Sequence, residues 1–235
     1  MEKPRLGWDY SDNRMAEVAH IGGLTLSVRQ EKYPEDPRKY HDHIGRMVCF
    51  HGRYSLGDEG HGLTPDMFSG WDELESHLWR KGAVVTRPLY LYDHGGLRMK
   101  IGDFYGLLPQ GHAEFDSGQV GFAYVIGKEA REEMGWKKIT RKRRERLREI
   151  LASEVEEYDQ YLSGQVYHYL VVDDQTGQVI DSCGGFYGDL EYVKCEAEDA
   201  ADGIIARRAE REDQEHKATV AHDEARNPAP LVGTA

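Results

Sequence analysis

Two histidines and two aspartates sit where loops meet strand-like segments: Asp93 and His94 in one turn, His112 and Asp116 in the next loop. Strand ends present polar side chains to a shared edge. A histidine beside a carboxylate can act as a general base or hold a divalent metal. Asp93, His94 and Asp116 are therefore the candidate catalytic residues, as a small hydrolase or nuclease would use them. The bland alternative is turn chemistry, since Asp and Gly are what tight turns select. A second group, His41, His43, Cys49 and His51, with His61 nearby, has the side-chain types of a transition-metal site. If both segments are strands, alternation puts His41 with His43 and Cys49 with His51 on common faces. The x-one spacing matches no established zinc pattern, so loop histidines near a buried cysteine are the alternative. Cys183, in Asp181-Ser-Cys-Gly-Gly-Phe-Tyr-Gly, could be a nucleophile only with a depressed pKa, and no base lies near it in sequence. Those glycines lack the Lys-Ser/Thr ending of a phosphate loop.

Charge singles out one further stretch. The chain of 235 residues has a formal net charge of -12, yet residues 137–149 hold eight bases and two acids. Thr140 can cap a helix running to about Leu162. Its N-terminal half carries Arg141, Lys142, Arg143, Arg144 and Arg148, and its C-terminal half carries Glu154, Glu156, Glu157 and Asp159. That order opposes the helix dipole. Neutralisation within the protein is the simplest compensation. An external polyanion on the basic half, making this a nucleic-acid-binding helix, is another. The four carboxylates form a candidate surface for a basic protein partner.

The elements that must position these residues can be read from pattern. Leu24–Arg29 alternates as a strand. Residues 31–45 and 55–70 read as loops, and Met47–Phe50 as a short buried strand. Trp71, Leu74 and Leu78 mark one face of a helix over Trp71–Arg80, with Gly82 just past its end. Residues 83–92 are strand-rich, but Pro88 demands an edge or a bulge. Asp93-His-Gly-Gly is a turn with a return strand over Leu97–Ile101. Val120–Ile126 is apolar on both faces, hence central. A short helix follows over Lys128–Met134. Leu147, Ile150, Leu151, Val155, Tyr158 and Leu162 stripe the long helix. Residues 165–172 and 178–182 form a hairpin around Asp173–Gly177, and Asp189 can cap a last helix. The expectation is an α+β fold: a single domain on a mostly antiparallel sheet with flanking helices, spanning 21–210. A mobile lead-in over 1–20 and a charged, disordered tail over 211–235 flank it.

Composition excludes several classes. No run of about 20 apolar residues exists, so no membrane partner is expected. Three cysteines do not frame a secreted scaffold, and the N-terminal residues carry no apolar signal core; both point to the cytoplasm. No cofactor is implied beyond a divalent metal.

Five blocks carry a resemblance. They are Met47-Val-Cys-Phe-His-Gly-Arg-Tyr-Ser-Leu-Gly-Asp, Pro88-Leu-Tyr-Leu-Tyr-Asp-His-Gly-Gly, Asp116-Ser-Gly-Gln-Val-Gly-Phe-Ala-Tyr-Val, Glu154-Val-Glu-Glu-Tyr-Asp-Gln-Tyr-Leu-Ser-Gly-Gln-Val-Tyr and Asp181-Ser-Cys-Gly-Gly-Phe-Tyr-Gly. In this order, over roughly residues 21–195, the chain resembles a family of accessory proteins encoded by bacteriophages and mobile elements. No reaction or ligand is assigned to that family. Gly184-Gly185 stands where relatives often have a bulky residue. The resemblance implies expression in a bacterial cytoplasm and action on a host or defence protein. With the acidic surface, it makes an inhibitor or modulator of a nucleic-acid-handling host protein the first functional expectation. A metal-dependent hydrolase at Asp93, His94 and Asp116 is the second, and nucleic-acid binding through 137–148 the third.

Overall fold

The computed structural model describes residues 9–10, 16–108 and 111–226. Its strands and helices divide between two compact units, residues 1–30 with 167–235 and residues 31–166. Both are α+β, and every strand pairing resolved between named strands is antiparallel.

The first unit is built on a sheet of order β1-β2-β3-β8-β9. Its strands are β1 (Asp9–Tyr10), β2 (Ala16–Ile21), β3 (Leu24–Gln30), β8 (Val166–Asp173) and β9 (Val179–Tyr187). Leu24, Leu26 and Val28 alternate inward on β3, join Val171 of β8, and pack on Val193, Ala197, Ala201 and Ile204 of helix α6 (Leu190–Arg226). Asp189 caps that helix as its sequence predicts, accepting from the N–H groups of Glu191 and Tyr192 at 3.0 and 3.2 Å.

Two expectations at the chain ends need correction. Residues 16–20, read as lead-in, belong to β2; residues 1–8 and 11–15 lie outside the described residues. Residues 211–226, read as a disordered tail, continue α6, while 227–235 lie outside the described residues. The charge run was misleading because its residues are good helix formers. They also pair along the helix, as Lys217 does with Asp213 at 2.5 Å.

The second unit has a sheet of order β4-β7-β5-β6, with β4 (Arg46–Cys49), β5 (Ala83–Asp93), β6 (Leu97–Ile101) and β7 (Ser117–Ile126). Helix α5 (Arg141–Leu162) covers one face through Leu147, Leu151, Val155 and Tyr158. Helix α2 (Trp71–Arg80) covers the other through Leu74 and Leu78, against Val48, Phe122 and Tyr124. β7 is therefore buried on both sides, which accounts for its uninterrupted apolar run. Shorter helices are α1 (Pro37–Tyr40), α3 (His112–Phe115) and α4 (Gly127–Glu133), with a 3-10 turn at Pro65–Met67.

Pro88 does not end β5. Its carbonyl accepts from the Gly102 N–H at 2.9 Å, so its own nitrogen also faces the β6 side. The β6 pairing stops at Leu89 opposite Ile101, so the missing N–H falls where that ladder has already ended. A register shift against β7 between Leu89 and Tyr90 accompanies it.

Candidate metal centre

The β5–β6 turn and the segment leading into β7 come together at the edge of the second unit's sheet. The Asp93 N–H donates to the Asp116 carbonyl at 2.9 Å, tying the two segments by their backbones. Gly95, at φ 72°, allows the tight β5–β6 turn, and Gly111, at φ 91°, starts α3 in a left-handed conformation. Once α3 forms, its single turn puts His112 and Asp116 four residues apart on one face.

These constraints bring His94, His112 and Asp116 into one cluster whose ligand atoms all lie within 4.8 Å of one another. Among the described residues no other group of three such side chains does so. The His94 Nδ1 stands 3.2 Å from Asp116 Oδ2, and the His112 Nδ1 stands 3.4 Å from the same oxygen. Ligands held about 2.0–2.1 Å from a tetrahedral zinc stand about 3.3–3.4 Å from each other. Both contacts fit that edge length. The two imidazoles meet edge to face at 4.9 Å between centroids, and Tyr92 stacks on His94 at 6.1 Å. The Tyr92 hydroxyl lies 3.3 Å from the His112 Nδ1. His94 is exposed and the other two are half-buried, so the cluster is open to solvent on one side.

Asp93, expected to share this site, turns away from it. Its carboxylate pairs with Arg53 and accepts from the Tyr54 hydroxyl at 3.4 Å. Asp93 is the last residue of β5 and His94 the next, and successive side chains along a strand alternate sides. His112 takes the place expected of Asp93.

The four residues His41, His43, Cys49 and His51 do not converge. His41 pairs with Glu157 at 3.0 Å, and His43 donates from Nε2 to the Pro37 carbonyl at 2.9 Å. The His51 Nδ1 accepts from the N–H groups of Arg53 and Tyr54. Alternation fails here because neither segment is a strand along its length: residues 41–45 are irregular and β4 stops at Cys49. Burial pushes the Cys49 thiol up to about 12, helped by the Asp58 carboxylate and opposed by Arg38. A thiolate ligand is disfavoured there. In a Cys183→Ser/Cys195→Ser variant at pH 8, Cys49 is expected to react with a disulfide reagent at least ~1000-fold more slowly than an unperturbed thiol. Full reaction should follow denaturation. Rapid labelling of the native protein would show the thiol to be accessible and ionised.

The acidic half of α5 is used largely inside the protein. Glu154 is buried and accepts from the N–H groups of Ile44 and Gly45 at 2.9 Å each. Asp159 is buried, receives both Nε and Nη2 of Arg98, and accepts from the Met99 N–H at 2.6 Å. Glu157 holds His41, which leaves Glu156 as the one exposed carboxylate of the four. They are therefore not one partner surface.

In the basic half, Arg143 lies over the Trp136 ring at 5.0 Å and Arg148 pairs with Glu145 at 2.6 Å. Arg141, Lys142 and Arg144 are exposed. Cys183 is exposed on β9.

No helix among the described residues is long and apolar enough to cross a membrane. Comparison with protein families, curated proteins and solved structures matched nothing to this chain.

Proposed function

We propose that the second unit is a metal-dependent hydrolase centre acting on phosphoesters, with His94, His112 and Asp116 holding one divalent transition metal. The observation that carries this reading is the pair of 3.2 and 3.4 Å separations between the two Nδ1 atoms and one carboxylate oxygen. Two imidazoles and a carboxylate are a donor set for zinc and its neighbours, and three protein ligands leave a position for water or substrate. When bound, the metal would lower the pKa of that water and polarise the scissile group.

The chain's own residues would do the rest. The Tyr92 hydroxyl, 3.3 Å from the His112 Nδ1, stands where it could hydrogen-bond a water or substrate oxygen held at that site. The exposed Arg141, Lys142 and Arg144 support a nucleic-acid substrate through non-specific phosphate attraction. The cavity and surface that a host-protein inhibitor would need from Glu154 and Asp159 are taken by internal hydrogen bonds, so that reading ranks lower.

Titration of chelator-treated protein with Co(II) should give a saturable visible spectrum at one ion per chain. His112→Ala should weaken it at least about 100-fold, more than loss of an outer partner of a metal ligand costs, without changing the far-ultraviolet dichroism. Zinc- or manganese-loaded protein should then cleave bis(p-nitrophenyl) phosphate or an oligonucleotide. Absence of a stoichiometric cobalt spectrum overturns the metal centre; loading without turnover overturns the hydrolase assignment and returns the site to a binding role.

A further inference from the structure

The first unit contains a separate cationic cavity. It has a volume of about 410 Å³ and opens between the β8–β9 turn and α6. Buried Ile204 and half-exposed Ile180 line its apolar side. Asp173, Arg207, Arg208 and Arg211 line its charged side. Helical spacing puts residues 207, 208 and 211 on one side of α6.

The charges do not cancel. Arg208 pairs with Asp173 at 2.5 Å. The other oxygen of Asp173 accepts from the N–H groups of Gln175 and Thr176 and from the Thr176 hydroxyl. The Thr176 N–H, its hydroxyl and the Arg208 guanidinium together hold the Asp173 carboxyl down to about 2. It is therefore ionised at ordinary pH and fully matched by Arg208. Arg207 and Arg211 are left over.

Partners for them exist on the helix. Glu210 lies three residues after Arg207, and Glu215 four after Arg211. Yet neither arginine makes an ion pair with them among the described residues. The Arg207 guanidinium instead folds back along the helix, its Nη1 3.3 Å from where a β-carbon on Gly203 would stand. Three of the six lysines and arginines after residue 166 line this one cavity, among fifteen acids. The field elsewhere on these residues repels anions, so the positive charge is local to the cavity.

We propose that this cavity binds a small phosphomonoester. Its dianionic phosphate would lie across Arg207 and Arg211, and its apolar portion against Ile180 and Ile204. Two unmatched guanidiniums suit a double charge and the bidentate geometry of phosphate oxygens. The volume lies in the range of small-molecule sites, about 300–1,000 Å³. This assignment is independent of the metal centre.

The test uses the full chain freed of metal, titrated calorimetrically with adenosine 5′-monophosphate, inorganic phosphate and adenosine. The monophosphate should bind one per chain, phosphate more weakly, and adenosine not at all. Arg207→Ala/Arg211→Ala should weaken the monophosphate at least about tenfold, the worth of roughly 1.4 kcal/mol, whereas Lys217→Ala and His112→Ala should not. Lack of saturation by the monophosphate at about 10 mM, beyond the weak-binding range, overturns the proposal. So does binding unchanged in the double arginine variant, or binding lost in His112→Ala, which would move the phosphate to the metal centre.

Discussion

Alanine at Gly121 is expected to destabilise the second unit by about 3–5 kcal/mol, at or beyond the upper end of ordinary core overpacking. Gly121 lies on β7 opposite Cys49 of β4. A β-carbon there would stand 1.8 Å from the Val48 carbonyl oxygen, 2.8 Å from its carbon and 2.9 Å from the Cys49 α-carbon. All three are backbone atoms, so no rotamer change relieves the clash. β4 would have to retreat by more than an ångström, and it is pinned from both sides. Met47 is packed in the core under α5, and Val48 in the core under α2. The Met47 N–H also donates to Asp58 Oδ2 at 2.8 Å, and the Phe50 N–H to the Val120 carbonyl at 2.7 Å. Close-packed interiors do not absorb such a shift. Gly118, on the same strand, has nothing within 4 Å of its β-carbon position, so Gly118→Ala is the matched control. Urea unfolding followed by tryptophan fluorescence reads chiefly this unit, because three of the four tryptophans, Trp71, Trp79 and Trp136, belong to it. Similar midpoints for the two variants would show that the β4–β7 approach is looser than 1.8 Å implies.

The contrast between β7 and the histidine clusters shows what periodicity can carry. α2 and α5 are legible because each keeps one helical period for ten residues or more, and β7 because its continuous apolar run marks a strand buried on both faces. His41 and His43 obeyed a strand period over too short a run, and the chain there is irregular. The group of His94, His112 and Asp116 lies in between. Asp116 and His94 were visible as loop residues flanking strands. His112 was visible in the same loop, and its four-residue spacing to Asp116 was a helical signal that a glycine-rich loop reading concealed. What sequence could not supply was the side of the strand end on which Asp93 falls, since that depends on the register of β5 against β6 and β7. In α5 the error was one of category. Glu154 is three residues from Leu151 and four from Tyr158, and Asp159 four from Val155, so both acids sit on the apolar stripe. Charge suggested a surface, but helical phase placed them inside, where a carboxylate persists only with partners.

Glu154→Ala is the sharpest consequence of that placement, with an expected loss of about 3–5 kcal/mol, the cost of breaking a buried ion pair from one side. Glu154 faces a segment that has little regular structure of its own, residues 41–45. Its two oxygens collect the N–H groups of Ile44 and Gly45, and Arg38 Nη1 lies 3.7 Å from Oε2. The Arg38 side chain is 2% exposed. Its Nε donates to Asp58 at 2.7 Å and its Nη2 to the Gly45 carbonyl at 2.8 Å, but Nη1 has no hydrogen-bond acceptor. Glu154 thus sets a negative charge 3.7 Å from that orphaned donor. Removing it leaves two backbone donors unsatisfied and shifts a buried guanidinium onto Asp58 alone. A β-carbon on Gly45 would fall 2.3 Å from the Glu154 carboxylate, so the segment lies directly against that side chain. Loss of order should therefore begin in residues 36–47 and be visible as faster amide exchange there before global unfolding. Glu156→Ala, two residues along the same helix but exposed, should stay within about 0.5 kcal/mol of the parent. Equal stability of the two variants would mean that Glu154 is solvated in solution, and would return it to the candidate partner surface with Glu156.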